Sequence, residues 1–178
     1  MCVAPGFFRP MGATMSAKTG YTSDLSPAMP LGLTAAVVAA AVAFIAPWEG
    51  TRLVPYRDIA GVWTVCNGET RVEMRRYTKA ECDAMLREAV NGTYGRAVLE
   101  VVPALARRPN QLVASISLSY NIGTDAFGRS TVARRFNAGD WKGGCDAFRM
   151  WNRAGGRVVQ GLVNRREAER KLCLTGLS

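Results

Sequence analysis

A long uncharged run near the N-terminus constrains this chain more than any other feature. No charged residue occurs from residue 25 to residue 48, and residues 31–46 (LGLTAAVVAAAVAFIA) are apolar apart from Gly32 and Thr34. The run approaches the length of a membrane span, but its many alanines make it only weakly hydrophobic. The chain must therefore place this run in a membrane, lose it as a signal peptide, or bury it as a helix.

The three interpretations of the run place different demands on its composition. A cleaved signal peptide needs small residues at its exit, which Ala41, Ala43 or Ala46 would supply. A permanent anchor usually contains more Leu, Ile and Phe than this run does. A buried helix of a soluble protein is seldom so long and so apolar. All three interpretations stay open on the composition alone.

The run also divides the chain into three expected parts. Residues 1–30 contain several Pro, Gly and Ser residues and a slight positive excess, a composition that is typical of disorder. Residues 31–47 are the weakly hydrophobic segment. The sequence then becomes mixed and polar, so we expect one folded domain over residues 48–178, with its boundary near residues 46–48.

Composition excludes several kinds of chemistry. The chain has no His, which rules out a His-based catalytic triad and removes the commonest zinc ligand. The five cysteines form no C-x-x-C pair, so we expect no metal site and no cofactor. The formal net charge of +9 favours an anionic partner, such as nucleic acid, anionic lipid or cell wall, without choosing among them.

Beyond the apolar run, the pattern predicts a small β element followed by helices, which is an α+β, mostly helical fold. Residues 52–70 are rich in Val, Tyr, Trp and Thr between turn residues, which predicts a short hairpin. Thr78 and Glu81 form a capping box ahead of a helix of about a dozen residues. Residues 111–121 are apolar on nearly every side and are the candidate central buried helix. Further helices are expected at residues 96–106, interrupted at Pro103, and at residues 131–137, 141–151 and 162–172.

Residues 48–68, WEGTRLVPYRDIAGVWTVCNG, carry the strongest signal for chemistry. Glu49 ends the apolar run beside Trp48, where desolvation would favour the protonated carboxyl that a general acid needs. Asp58 lies in a turn between strands, where exposure and hydrogen bonding would keep it ionised. Two carboxylates held in opposite states are what glycoside hydrolysis uses.

The spacing Glu-x8-Asp-x5-Thr, filled here by Glu49, Asp58 and Thr64, closely resembles the catalytic signature of the T-even phage lysozyme family. The resemblance covers residues 48–174 and continues through YNIG at residues 120–123, Phe127 with Ser130, Trp151, GL at residues 161–162 and NRRE at residues 164–167. The GVWTVC segment and four of the cysteines are most similar to lambdoid phage endolysins that carry a signal-arrest-release segment.

This resemblance implies a lysozyme-like fold of two lobes, a small hairpin lobe and a helical lobe around a central helix, with residues 48–178 as the catalytic domain. It implies an inverting muramidase that hydrolyses the β-1,4 bond between N-acetylmuramic acid and N-acetylglucosamine in peptidoglycan and so lyses the host cell. Glu49 would protonate the leaving oxygen, while Asp58 and Thr64 would position the attacking water. Many relatives have a His shortly after this Thr, where the present chain has Asn67 and Glu69.

The resemblance assigns supporting roles to three further residues. Arg165 is expected to pair with Glu49, and Asn121 and Phe127 are expected to line the saccharide cleft between the lobes. Plainer interpretations exist for two of them, since Arg165 could be a surface cation of a basic helix and Phe127 could be a core aromatic.

Four cysteines are candidates for disulfides if the domain is exported. They can pair in three ways, of which we expect Cys66 with Cys82 and Cys145 with Cys173, leaving Cys2 unpaired. Each closed loop would stabilise the fold by roughly 3 kcal/mol in the chain-entropy model.

By the same resemblance, residues 31–47 would enter the inner membrane and later leave it without cleavage, because an Ala-rich span is marginal in lipid. The tethered enzyme is expected to be inactive, and release would let the segment pack on the domain and position Glu49. The expected partners are therefore peptidoglycan glycan strands and, transiently, the inner membrane. We expect export to the periplasm, no binding to nucleic acid, and a monomer once released.

Three other activities compete with this interpretation. A nucleic-acid-binding module would explain the basic charge but neither the apolar run nor the acidic pattern, and no binding motif is present. A membrane-disrupting protein would act through its basic C-terminal helices without catalysis. A lytic transglycosylase would use one acid and would need neither Asp58 nor Thr64.

Overall fold

A computed structural model of the protein describes residues 33–58 and 61–177. Expectations for residues 1–30 lie outside the described residues. The α-helices are α1 (Ala35–Glu49), α2 (Lys79–Glu88), α3 (Gly95–Val101), α4 (Pro109–Ile122), α5 (Thr124–Gly128), α6 (Thr131–Asn137), α7 (Trp141–Ala147) and α8 (Gln160–Leu174), and a π-helical segment, Ala89–Tyr94, joins α2 to α3. The strands are β1 (Arg52–Arg57), β2 (Trp63–Cys66), β3 (Arg153–Ala154) and β4 (Arg157–Val158). The architecture is the expected mostly helical α+β fold.

Helix α1 is formed by the apolar run. Thr34 caps its N-terminus by accepting the Val37 amide at 3.3 Å. Val38, Ala41 and Ile45 recur at helical spacing and are buried in the main core. The expected domain boundary near residues 46–48 falls inside α1, so this helix and the domain behind it share one core. None of the helices in the described ranges combines the length and the apolar composition needed to cross a membrane.

Helix α4 lies at the centre of the helical lobe, as predicted. Every residue from Gln111 to Ser119 is buried. Pro109 stands in the first turn, where its missing amide hydrogen costs nothing, and Gly123 ends the helix with φ 89°. Helices α1, α3 and α8 pack against α4. This arrangement brings the C-terminal end of α1 and side chains of α8 to the same buried helix.

The small lobe is an antiparallel hairpin of β1 and β2, with Tyr56 opposite Thr64. A second, smaller core lies beneath it, formed by Val65, Cys66, Tyr77 and Cys82. Disulfides join Cys66 of β2 to Cys82 of α2, and Cys145 of α7 to Cys173 of α8. These are the two pairs expected from the sequence.

Several local features differ from the sequence-based expectation. The helix expected at residues 96–106 ends at Val101, and a 3₁₀ turn, Pro103–Arg107, follows it because Pro103 has no amide hydrogen for the helix. The last turn of the helix expected at residues 141–151 is a 3₁₀ turn, Phe148–Met150. Glu167 on α8 pairs with Arg149 and Arg170 at 2.8 and 3.2 Å, so the end of this 3₁₀ turn is tied to α8. The hairpin of β3 and β4 was not expected, since two-residue strands carry no detectable alternation.

Gly95 provides a test of how tightly the start of α3 is packed. A Cβ atom at this position would clash with the Leu33 side chain just before α1 and would lie 2.7 Å from the carbonyl oxygen of Val90. We expect Gly95→Ala to lower the free energy of unfolding by about 1–3 kcal/mol, because a carbonyl cannot move as a side-chain tip can. Chemical denaturation measures this. Gly92→Ala is the matched control, since nothing lies within 4 Å of its added methyl group; equal effects would contradict the prediction.

Candidate active site

Glu49 is the last residue of α1, and Gly50, at φ 65°, turns the chain toward β1. Arg165 donates from Nη1 to Glu49 Oε1 at 2.6 Å. The Glu49 side chain is 21% exposed, whereas that of Arg165 is only 5% exposed, so Arg165 is not a surface cation. The burial expected beside Trp48 is only partial, because Trp48 is itself exposed. Glu49 is therefore held at the rim of the core by a buried guanidinium.

Asp58 and Thr64 lie on either side of the hairpin turn. Asp58 directly follows β1, and its Oδ1 accepts the Val62 amide at 2.9 Å. Thr64 is buried on β2, and its hydroxyl donates to the Val62 carbonyl at 3.1 Å. The backbone of Val62 thus binds both side chains, with its amide on the Asp58 carboxylate and its carbonyl on the Thr64 hydroxyl.

Asn67 connects the hairpin to both α1 and α4. It follows Thr64 by three residues and is buried. Its Nδ2 donates to Thr51 Oγ1 at 3.2 Å and to the Gly50 carbonyl at 3.4 Å, next to Glu49. Its own carbonyl accepts the Tyr120 hydroxyl at 2.8 Å. Burial raises the pKa of Tyr120, so the phenol stays a donor at neutral pH.

A buried polar cluster lies behind Arg165. Arg165 also donates from Nε to Glu169 Oε1 at 3.3 Å, and Ser117 donates its hydroxyl to the same oxygen at 2.7 Å. Arg166 binds that oxygen at 2.6 Å and binds Asn121 Oδ1 at 2.9 Å. The sequence reasoning missed Arg166, Glu169 and Ser117. Their helical spacing on α8 places Arg166 and Glu169 on one face with Cys173, which is the signal that could have found them.

The cleft assignment of Phe127 is wrong. Phe127 lies on the short helix α5, which packs against α4, and its side chain is fully buried in the main core. The plainer interpretation, a core aromatic, is the correct one. Asn121 is exposed at the end of α4, and its oxygen is bound by Arg166. Its contact with saccharide stays a prediction.

Comparison with known proteins identifies the family. The phage lysozyme family model matches residues 46–169, a range that includes Glu49, Asp58, Thr64 and Arg165. The chain belongs to the phage lysozyme family. A SAR-endolysin of Enterobacteria phage P21 is 44% identical over 135 residues, which cover 72% of this chain and 78% of that protein.

Solved structures agree with this assignment. The muramidase domain of SpmX from Asticaccaulis excentricus superposes with a TM-score of 0.68 at 32% identity, covering 76% of this chain and 95% of that one. The active form of the P1 phage endolysin Lyz gives a TM-score of 0.69 at 28% identity, covering 78% and 85%. The fold of this phage lysozyme is thus lysozyme-like, and the protein is a glycoside hydrolase.

The hydrogen bond from Tyr120 to Asn67 links the two lobes, so its removal should weaken the fold. We expect Tyr120→Phe to lower the free energy of unfolding by about 1 kcal/mol, since a buried carbonyl loses its donor. The matched control is Tyr94→Phe, whose ring lies 4.8 Å from that of Tyr120 and whose hydroxyl has no hydrogen-bond partner among the described residues. Urea unfolding of both variants measures the difference. Equal losses would show that the link between the lobes contributes nothing measurable.

Proposed function

We propose that this phage lysozyme is an exported endolysin in which Glu49 is the general acid for hydrolysis of the β-1,4 bond between N-acetylmuramic acid and N-acetylglucosamine. The observation that carries the proposal is the contact of Glu49 with Arg165, made at the rim of the core in a chain of this family. A partly buried, oriented carboxyl is suited to protonate a leaving glycosidic oxygen. Peptidoglycan is accordingly the substrate.

Arg165 gives the acid its orientation. One guanidinium nitrogen binds Glu49, and others bind the Ser117 carbonyl at 3.3 Å and Glu169, so the guanidinium is anchored at several points. A guanidinium fixed in this way restricts the positions that the Glu49 carboxyl can adopt. Less conformational entropy is then lost when the carboxyl reaches the reactive geometry. During reaction Glu49 gives its proton to the leaving oxygen, and the carboxylate that results is stabilised by Arg165.

Asp58 and Thr64 would prepare the water that attacks the opposite face of the sugar. The Val62 amide orients the Asp58 carboxylate, which then accepts a proton from the water as general base. The Thr64 hydroxyl donates its hydrogen to the Val62 carbonyl. Its oxygen therefore has lone pairs that can accept a hydrogen bond from the same water. An inverting reaction of this kind needs room for the water, roughly 6.5–9.5 Å between the carboxyl groups.

Residues 31–47 would act as a transient membrane tether before release into the periplasm, where the free protein would be monomeric. The support is the uncharged, Ala-rich run together with relatives named SAR-endolysins. Glu49 and its partner Arg165 lie on different helices, so a tethered α1 would keep the acid away from its partner. Release would then seat α1 on the core and activate the enzyme.

The catalytic proposal is tested by digesting peptidoglycan with the wild type and Glu49→Gln. Loss of the proton donor should reduce the turnover number by about 10²–10⁴ in variant protein that circular dichroism shows to be folded. Mass spectrometry should find reducing-end muramic acid in the wild-type products. Glu100→Gln is the control, since Glu100 is an exposed acid on α3. Anhydro products would assign a transglycosylase, and full activity of Glu49→Gln would refute the role of Glu49.

The tether is tested at Ala40, which is exposed on α1 in the folded protein. Ala40→Arg should leave purified enzyme active, but it should oppose membrane insertion by about 2.5–3.5 kcal/mol and keep the protein in the cytoplasm. Ala40→Leu is the counterpart, and it should increase the membrane-bound fraction. Fractionation of expressing cells measures both. Normal export of Ala40→Arg would contradict insertion of this segment.

A further inference from the structure

Glu169 is a fully buried carboxylate that the proposed reaction does not use. Its side chain is 0% exposed, and its neighbours Arg165 and Arg166 on α8 are 5% and 1% exposed. Its Oε1 accepts from Arg166 at 2.6 Å, from Ser117 of α4 at 2.7 Å and from Arg165 at 3.3 Å. One oxygen thus collects three donors from two helices.

Stability alone does not explain a cluster of this kind. Burial raises the pKa of Glu169, opposed by the two guanidiniums, and burial lowers the pKa of Arg166. Within the described part of the chain, Glu169 Oε2 and Arg166 Nε lack a hydrogen-bond partner. Buried charges with incomplete partners cost desolvation energy that apolar residues of similar size would avoid. A role in the nearby site accounts for their presence better.

The charges balance only when Glu49 is counted. Arg165 lies between two carboxylates, with Nη1 bound to Glu49 and Nε bound to Glu169. Two cations, Arg165 and Arg166, therefore face two anions. If Glu169 were neutral, Glu49 would face both cations alone, and Arg165 would lose the contact that fixes the far side of its guanidinium.

We propose that Glu169 is a positioning residue for the hydrolytic reaction. It holds Arg165 so that Nη1 meets Glu49, it offsets part of the positive charge that Glu49 experiences, and through Arg166 it holds Asn121 at the end of α4. This inference rests on the proposed role of Glu49 as the acid. Glu169 itself touches no substrate.

Glu169→Gln is the variant that tests this role, because it keeps the shape of the side chain and an acceptor oxygen but removes the charge. We expect the turnover number on peptidoglycan to fall by on the order of tenfold to a hundredfold, the effect of a small misplacement of a catalytic group, with KM unchanged. Glu167→Gln is the matched control, since Glu167 is an exposed acid two residues away on the same helix. This control should behave as the wild type.

The pH profile separates positioning from a general structural effect. Among the described residues, the charged or titratable groups that interact with Glu49 include Arg165, Arg166, Tyr94 and Tyr120. Glu69 interacts with both tyrosines, and Glu169 binds the far side of Arg165. A general acid works only while protonated, so activity falls as the pH rises through its ionisation. With the charge of Glu169 removed, the surroundings of Glu49 become more positive. The basic limb should therefore move to lower pH in Glu169→Gln and stay in place in Glu167→Gln.

A second variant covers the case in which Glu169→Gln does not fold, as judged by near-ultraviolet circular dichroism. Ser117→Ala removes one hydrogen bond to Glu169 and keeps every charge. It should lower the turnover number severalfold, with KM and the basic limb unchanged. A folded Glu169→Gln with the turnover and pH profile of the wild type would overturn the proposal, as would an unaffected Ser117→Ala if Glu169→Gln is unfolded. An inactive wild type would instead count against the proposed function.

Discussion

The contact between Glu49 and Arg165 is the interaction that ties the candidate active site to the rest of the structure. It joins residues 116 positions apart, on the first and the last helix of the described chain. Both helices reach the contact because each packs on the buried helix α4. Helices α1 and α8 must therefore both pack on α4 for Glu49 to meet its partner, which makes the candidate active site depend on the whole helical lobe.

Helix α1 is suited to this task by the same composition that makes it marginal in lipid. Val38, Ala41 and Ile45 give it one buried stripe, while alanines such as Ala36 and Ala40 are exposed on the other side. A small side chain costs little in water and gains little in lipid, so such a helix is tolerated in both settings. In the folded protein, α1 is held by a few buried side chains and by the pairing of Glu49.

The sequence was informative where local chemistry decides the structure. The capping box at Thr78, the buried helix α4 and the hairpin that carries Asp58 and Thr64 all follow from short patterns. The sequence was misleading or silent where burial depends on distant partners. Phe127 has the same local pattern whether it lines a cleft or fills a core, and Glu169 looks like one more acid on a basic, solvated helix.

The buried cluster makes the seating of α1 and the placing of the acid a single event. Without α1 in position, Arg165 and Arg166 would share only Glu169, leaving an uncompensated positive charge in the interior. A buried charge without a partner is unfavourable, so Arg165 and Arg166 would stay hydrated until a second carboxylate binds them. Glu49 is that anion, and it arrives only with α1. The charge balance therefore opposes a half-assembled state in which the core is closed and the acid is absent.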